Sequence, residues 1–570
     1  MRTLLFDRGG LLALAVAALY LWIAPHTIVG GDNAELVTLG TIGGVAHPSG
    51  YPLYLLWLRA WSWLPVSSPA HVTALATAVL GVGVVVVLHA ACRAWGARPL
   101  AATAAVAVYA ASPLVMQIHT ETEVFAMNSL VVAAVLWLAA DGGPLRGAAR
   151  VIALALVAGL GLSDHSTCVL VAPVGVYGAI RGLRETTGSR ALVIAGAAGA
   201  LAIGLLPYLY LLVTWEPPLA WTRIDGLGGL VHHFLRRDYG SSGRLTAEPV
   251  PVDYPAQLWL LARSLGGAWL WLPGAAGVGA LGYFAVRRGW AWRMLAVSFV
   301  LAGPVLITRF NLDPIGTGAF VCERFHLLPI LLLAIPIAVA VDRVLERVAL
   351  PVGSVVAVFA FAAIAGRSLP HQARAQSPAL ENALRGTLAE LPAHAVVIVS
   401  VEGFHFGAAY LQDVLGVRPD VTVISWPMVK SSEYRDRVSR RTGLVFDAPK
   451  GAGLSAVVAQ QVLARGQPLY IDAFGGSIAA AFPTYPFGIF FRVLPHGTAP
   501  PPPQEVLEQN RALLGKLDLA YPHPTAADQP AAEVHMFLAR AWSMIGDAVA
   551  ASGDSANGAA ARELAAELAP

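Results

Sequence analysis

The sequence predicts an α-helical polytopic membrane protein of about eleven spans with an extracytoplasmic α/β domain toward its C-terminus. Three observations predict it. Of 570 residues, 56% are hydrophobic and only 13% charged, with a mean hydropathy of +0.62, against about 25% charged in a soluble domain. Apolar runs long enough to cross a bilayer recur between residues 10 and 366. Beyond Arg367 the apolar runs shorten to strand length. The net charge of +3 is too small for a chain that has nucleic acid as its main partner. Cys92, Cys168 and Cys322 are too scattered for a disulfide framework or a metal site, and each reads as an inert buried thiol.

Arg2 and Arg8 precede the first apolar run as they would in a signal peptide. Trp22, Pro25 and His26 stand where a small-x-small cleavage site would be, so a retained first span is expected. The expected spans are 10–29, 72–92, 99–117, 124–140, 150–163, 166–181, 191–213, 267–286, 291–308, 326–341 and 349–366. The fifth and sixth are short and read alternatively as one broken re-entrant pair, and 257–266 reads as an interfacial segment.

With the N-terminus in the cytoplasm, the basic connectors all fall on one side. They are Arg93 and Arg98; Arg146 and Arg150; Arg181, Arg184 and Arg190; Arg287, Arg288 and Arg293; and Arg343 and Arg347. An odd number of spans then places the C-terminal domain outside the cell (inner) membrane. The outer connectors receive Asp32, Glu35, His47, His119, Glu121, Glu123, Asp164, His165, the loop 214–256 and the stretch 309–324. Nearly all acids and histidines of the membrane part thus gather on one face, as a chemical surface rather than an anchor requires.

Three parts are expected: a membrane domain at 1–366, an α/β domain at 367–500 and a helical tail at 501–570. In the second, Ala395–Val399, Val421–Ser425 and Leu469–Asp472 read as strands, with helices at Phe404–Leu415 and Leu454–Ala464 between them. This alternation predicts a parallel sheet. Pro500–Pro503 reads as a linker and Ala531–Leu568 as one or two packed helices. No Gly-rich phosphate loop follows a strand.

Where the chain leaves its first apolar run it reads Gly31-Asp32-Asn33-Ala34-Glu35, then His47-Pro48-Ser49-Gly50-Tyr51-Pro52-Leu53-Tyr54. Ionisable groups at that depth are costly and usually mark a site. These two segments resemble the first outer loop of the protein O-mannosyltransferase-like family of polytopic GT-C glycosyltransferases. Glu123–Asn128, Gly161–His165, Leu206–Tyr210 and Phe234–Gly240 are similar to that family in the same order, and Tyr410–Gln412 and Arg418–Val421 weakly so. The resemblance implies a GT-C-like fold and a membrane enzyme. Such an enzyme moves a hexose, typically mannose, from a polyprenyl-phosphate carrier to a hydroxyl on the outer side. The donor is a substrate, and neither a cofactor nor a metal is expected. Asn33 and Ser49 depart from the family's pattern but leave the acids in place.

In that chemistry the phosphate leaves readily and the acceptor hydroxyl is the weak partner. A carboxylate that takes its proton is worth about 10²–10⁴ in rate, and one base without an enzyme nucleophile implies inversion. From the residues alone, Asp32 is either that base or a helix-end residue satisfying backbone N–H groups; the resemblance favours the base. Glu35 lies one helical turn on, either raising the basicity of its neighbour or orienting it. His47 heads a proline-stiffened turn, as a ligand of the carrier phosphate or as a structural hydrogen-bonder. Glu123 and Asn128 lie at the mouth of the fourth span, facing the sugar or complementing a helix dipole.

His165 follows Asp164 in an apolar stretch, a pair that must be buried or line a cavity. Arg236 and Arg237 stand against the charge trend, matched to phosphate or to anionic headgroups. Arg309 and Arg324 are further phosphate candidates, Arg324 alternatively neutralised by Glu323. Tyr51, Tyr54, Trp57, Trp61 and Trp63 read as an interfacial belt or as the lining along which a polyprenyl chain enters. The acceptor is either a Ser or Thr of an exported protein or a lipid or glycan. A lipid-carrier transporter would spread its charges through the mid-plane. A non-catalytic scaffold would tolerate Asp32→Asn.

Overall fold

The computed structural model describes residues 8–213, 221–239, 244–246, 250–345, 350–449 and 453–570. Arg2, Arg347, Gly240 and part of the loop 214–256 lie outside the described residues. The chain forms two compact units. One comprises Met1–His26, Ala46–Thr214 and Ile224–Ala373; the other comprises Thr27–Val45, Trp215–Arg223 and Arg374–Pro570.

The first unit is the apolar helix bundle. Among the described residues six helices are long and apolar enough to cross a membrane: Pro69–Ala94, Gly147–Asp164, Ser166–Glu185, Arg190–Leu212, Trp290–Arg309 and Gly316–Arg343. Gly316–Arg343 runs through the centre of the bundle, with 78% of its apolar window buried, and Arg190–Leu212 at the periphery, with 22%. Shorter apolar helices run over Arg8–Ile23 and Phe125–Ala139, and Leu350–Ala375 forms a long helix at the expected last span.

The bundle differs from the expected spans at prolines. The first helix stops at Ile23 rather than at 29, because Pro25 disfavours helical backbone in the residue before it. The expected span 99–117 is two helices, Pro99–Ala111 and Pro113–Thr120, bent by 71°; Ser112 between them is extended, with ψ 145°, as a residue before proline prefers. The stretch 257–266 is helical rather than interfacial. It belongs to Tyr254–Trp269, which meets Leu272–Arg287 at 105° across Leu270 and Trp271, both at positive φ. Gly147–Asp164 and Ser166–Glu185 are separate helices, each long enough to cross, rather than one broken pair. Where Gly147–Asp164 packs on Arg190–Gly204, the backbones touch. A Cβ on Gly204 would lie 2.6 Å from the Leu160 nitrogen, the close approach that small residues permit between membrane helices.

The second unit is built on a five-stranded sheet of order β2-β1-β3-β5-β4. Its strands are β1 (Val396–Val399), β2 (Thr422–Ser425), β3 (Leu469–Ile471), β4 (Thr484–Phe487) and β5 (Phe490–Val493). The first three are parallel, as expected, but β5 pairs antiparallel with β3 and β4 with β5, so the sheet is mixed. Pro486 obscures the hairpin in the sequence; β4 tolerates it because it is the edge strand. Pro500–Pro503 leads directly into the helix Pro503–Leu514. Its Asn510 bonds the Gly488 nitrogen and the Pro486 carbonyl of the hairpin, so this part of the tail belongs to the sheet's unit. Pro530–Ala551 and Ser555–Leu568 pair in the same unit, with Gly558 held 2.8 Å from the Gly546 carbonyl for any added Cβ. The helix Asn33–Ile42 packs in this unit too, against Glu402–Ala409 and the turn after it.

Candidate active site

Two groups of predicted residues take shape, one in each unit. In the second unit, Asp32 is half-buried at the start of the helix Asn33–Ile42. Its side chain makes no capping hydrogen bond to that helix. Asn33 does the local work instead, its Oδ1 accepting from the Val29 nitrogen at 3.0 Å. Glu381, braced by Arg385 at 2.7 Å, accepts from the Ile28 nitrogen at 3.1 Å. These contacts pin the loop, and the departure at Asn33 has a structural role. Glu35, one turn on, is buried at 1% exposure. Anionic side chains are favoured at a helix N-terminus, so an ionised Asp32 is compatible with its position.

In the first unit a chain of polar contacts runs through the apolar bundle. The Tyr51 hydroxyl and His47 Nε2 are 2.8 Å apart. The Tyr51 ring stacks on that of His165, with centroids 5.6 Å apart and planes 4° apart. His165 Nδ1 meets Thr167 Oγ1 at 2.7 Å, and the same oxygen accepts from Asn128 Nδ2 at 3.1 Å. Phe125 and Phe325 close on His165 at 5.0 and 6.0 Å. Beside them Arg324 Nη1 donates to Glu123 Oε1 at 2.7 Å, and its guanidinium lies over Phe125 at 5.9 Å and Phe320 at 5.5 Å. Both partners of this ion pair are buried.

Predicted residues 47, 51, 123, 128, 165 and 324 thus converge. Two expectations change. Arg324 pairs with Glu123, and Glu323 lies 3.9 Å from Arg263. Tyr51 and Tyr54 are not an interfacial belt, since both face inward at 4% and 0% exposure; Trp63 stays exposed.

Tyr51 has φ 46°, a costly left-handed backbone for a bulky residue that surrounding contacts must hold. The holders come from the later helices of the bundle. His233 Nε2 donates to the Ala46 carbonyl at 3.0 Å, and the Tyr208 hydroxyl reaches the carbonyls of Leu162 at 3.1 Å and Ser49 at 3.4 Å. A Cβ on Gly50, at φ 91°, would come within 2.8 Å of Leu211. The motif Leu206–Tyr210 pointed to Tyr208; nothing in the sequence marked His233. Asp164 is fully buried, and neither carboxylate oxygen has a hydrogen-bond partner among the described residues. Glu121 is also buried, with Oε1 likewise unmatched among the described residues. The remaining cations are less buried than Arg324. Arg237 and Arg309 are exposed, and Arg236, at φ 52°, lies over the Tyr239 ring at 4.7 Å.

Comparison with known proteins agrees with the expected family. Residues 32–187 match the protein O-mannosyl-transferase TMEM260 N-terminal domain. The chain is 31% identical to protein O-mannosyl-transferase TMEM260 of Mus musculus over 245 residues, 41% of this chain and 35% of that protein. It is 25% identical to the Dictyostelium discoideum protein of the same name over 257 residues, 40% of this chain and 30% of that one. The matched region spans about a third of those relatives. The fold is that of ArnT from Cupriavidus metallidurans, a GT-C structure. The apo form gives a TM-score of 0.53 at 14% identity, covering 85% of this chain and 97% of that one. The form bound to undecaprenyl phosphate gives 0.51 at 14% identity, covering 86% and 99%. The α-helical polytopic, GT-C-like architecture read from the sequence is therefore the architecture of the protein.

Proposed function

We propose that the protein is a membrane glycosyltransferase that moves a hexose, mannose, from a polyprenyl-phosphate carrier to a Ser or Thr hydroxyl of an exported protein. The observation that carries this reading is the buried cluster. Six residues scattered from 47 to 324 meet around one ion pair inside an apolar bundle. The matched relatives are named O-mannosyl-transferases, and the ArnT of similar fold has been solved with undecaprenyl phosphate.

In the proposed reaction the acceptor oxygen attacks the anomeric carbon. The bond from that carbon to the phosphate oxygen breaks, and polyprenyl phosphate leaves with the electron pair. Asp32 receives the hydroxyl proton as the new bond forms, with Glu35 one helical turn on to orient it. The sugar configuration inverts because a single displacement occurs. Arg324 supplies charge for the departing phosphate. His47, Tyr51, His165 and Asn128 form the wall for the sugar, with Tyr51 held in place before substrate arrives. Arg236, Arg237 and Arg309 draw the anionic carrier to the outer interface.

The proposed orientation has the N-terminus in the cytoplasm and the sheet-bearing unit outside the cell membrane, where it selects the acceptor. Purified protein in vesicles, given polyprenyl-phosphate [¹⁴C]mannose and a Ser/Thr-rich peptide, is expected to place label on the peptide with inverted anomeric configuration. Absence of transfer would overturn the activity, and retention of configuration would overturn the single displacement.

A further inference from the structure

The sheet-bearing unit contains a cavity of about 350 Å³ whose walls include His405, Gln412, Asp413, Tyr434, Arg437 and Arg441. Two helices build it. Glu402–Ala409 passes into a π-turn at Tyr410–Val414, a distortion that occurs within helices frequently at functional sites. The turn brings Gln412 and Asp413 to the same cavity as His405. Ser432–Thr442 presents Tyr434, Arg437 and Arg441, spaced to share one helical face.

Each wall is held by contacts of its own. Gln412 Nε2 donates to the carbonyls of Arg418 and Val421, each at 2.8 Å. The Tyr434 hydroxyl accepts from the Ser425 nitrogen at 2.8 Å, which leaves its own hydrogen to donate. The Arg437 guanidinium lies over the Tyr434 ring at 5.3 Å. His405 is 8% exposed, edge-on to Tyr434 at 6.2 Å, and neither of its ring nitrogens has a hydrogen-bond partner among the described residues. A buried imidazole left unmatched is unfavourable, and no structural role of the fold accounts for it. Burial and the facing Arg437 push His405 down to about 4, so it is a neutral ring offering one donor and one acceptor.

The charges decide the class of ligand. Arg437 and Arg441 line the cavity with Asp413 as its one acidic residue, which makes the lining net positive. Its volume is at the small end of ligand pockets, about 300–1,000 Å³, the size of one sugar ring or one amino acid. We propose that this cavity binds a small hydroxylated oxyanion, its carboxylate or phosphate taken by Arg437 and Arg441 and its hydroxyls by Asp413, Tyr434 and His405. The site is independent of the transfer chemistry assigned to Asp32.

Titration calorimetry on the full chain in nanodiscs tests it, with mannose 1-phosphate, glucuronate, inorganic phosphate and neutral mannose as probes. One saturable site is expected for mannose 1-phosphate, for glucuronate or for both, and the tighter of the two identifies phosphate or carboxylate as the natural group. Mannose and inorganic phosphate should each bind at least tenfold more weakly than that sugar acid. Arg437→Met should weaken it tenfold or more. Arg441→Ala, at an exposed position where folding is not at risk, should weaken it several-fold. No saturable site for either sugar acid, equal binding of neutral mannose or of bare phosphate, or affinity unchanged in both arginine variants would overturn the proposal.

Discussion

Glu123 and Arg324 are the two charges on which the buried cluster depends. Taking an ion pair out of water is repaid only while both partners remain, and removing one costs about 3–5 kcal/mol. Arg324→Met is therefore expected to destabilise the protein by about that amount, measured by thermal or denaturant unfolding in detergent. Adding Glu123→Gln to it should restore most of the loss, while donor binding stays lost in both. In the sheet-bearing unit, Glu533 makes a different residue-level prediction. Its carboxyl faces Asp472 and Glu402, and burial together with those acids pushes it from 4.5 up to about 7. The folded chain thus holds a proton that the unfolded chain releases near 4.5. Its contribution is full below about 4.5 and is lost as pH rises through 7. Glu533→Gln should melt with wild type at pH 4 and be more stable at pH 8 by up to ~3 kcal/mol; identical melting profiles from pH 4 to 8 would contradict the assignment. His405 and Glu533 were both invisible in the sequence, because burial and facing charges come from residues distant in the chain.

Among the elements, the helices that follow a composition rule were legible and the breaks between them less so. Apolar length alone located Pro69–Ala94 and the part of Gly316–Arg343 from Leu327 on, while the helix Gly316–Glu323 lies in a stretch expected to be an outer connector. Pro25 and Pro113 were visible as residues, yet whether a proline kinks, ends or merely caps a helix depends on what packs around it. The parallel core of the sheet was legible because β1, β2 and β3 alternate with helices. The hairpin β4–β5 was hidden by Pro486, since only its edge position makes the proline acceptable. Contact between the helices Gly147–Asp164 and Arg190–Gly204 rests on Gly159 and Gly204. Gly204→Val would set a side chain against the Leu160 nitrogen, and an overpacked interface typically costs about 1–3 kcal/mol. Gly196→Val, where an added Cβ would meet only ordinary contact at 3.4 Å from Ile152, should cost much less. Equal melting temperatures for the two variants would show that the interface does not depend on the close approach.

At the scale of the whole molecule, sequence motifs separated by long intervals proved to be parts of few assemblies. His47, Tyr51, Glu123, Asn128, His165 and Arg324 fall in one cluster, which their spacing alone did not reveal. Asp32 and Glu35 lie on a helix that packs into the same unit as the sheet, because its buried face is matched by Glu402–Ala409 rather than by anything near it in sequence. The most direct measurement is single-turnover mannose transfer in vesicles by Asp32→Asn beside wild type, with donor binding measured on the same preparations. The proposal predicts unchanged donor binding and a transfer rate lower by at least about 10². Transfer at the wild-type rate would contradict it.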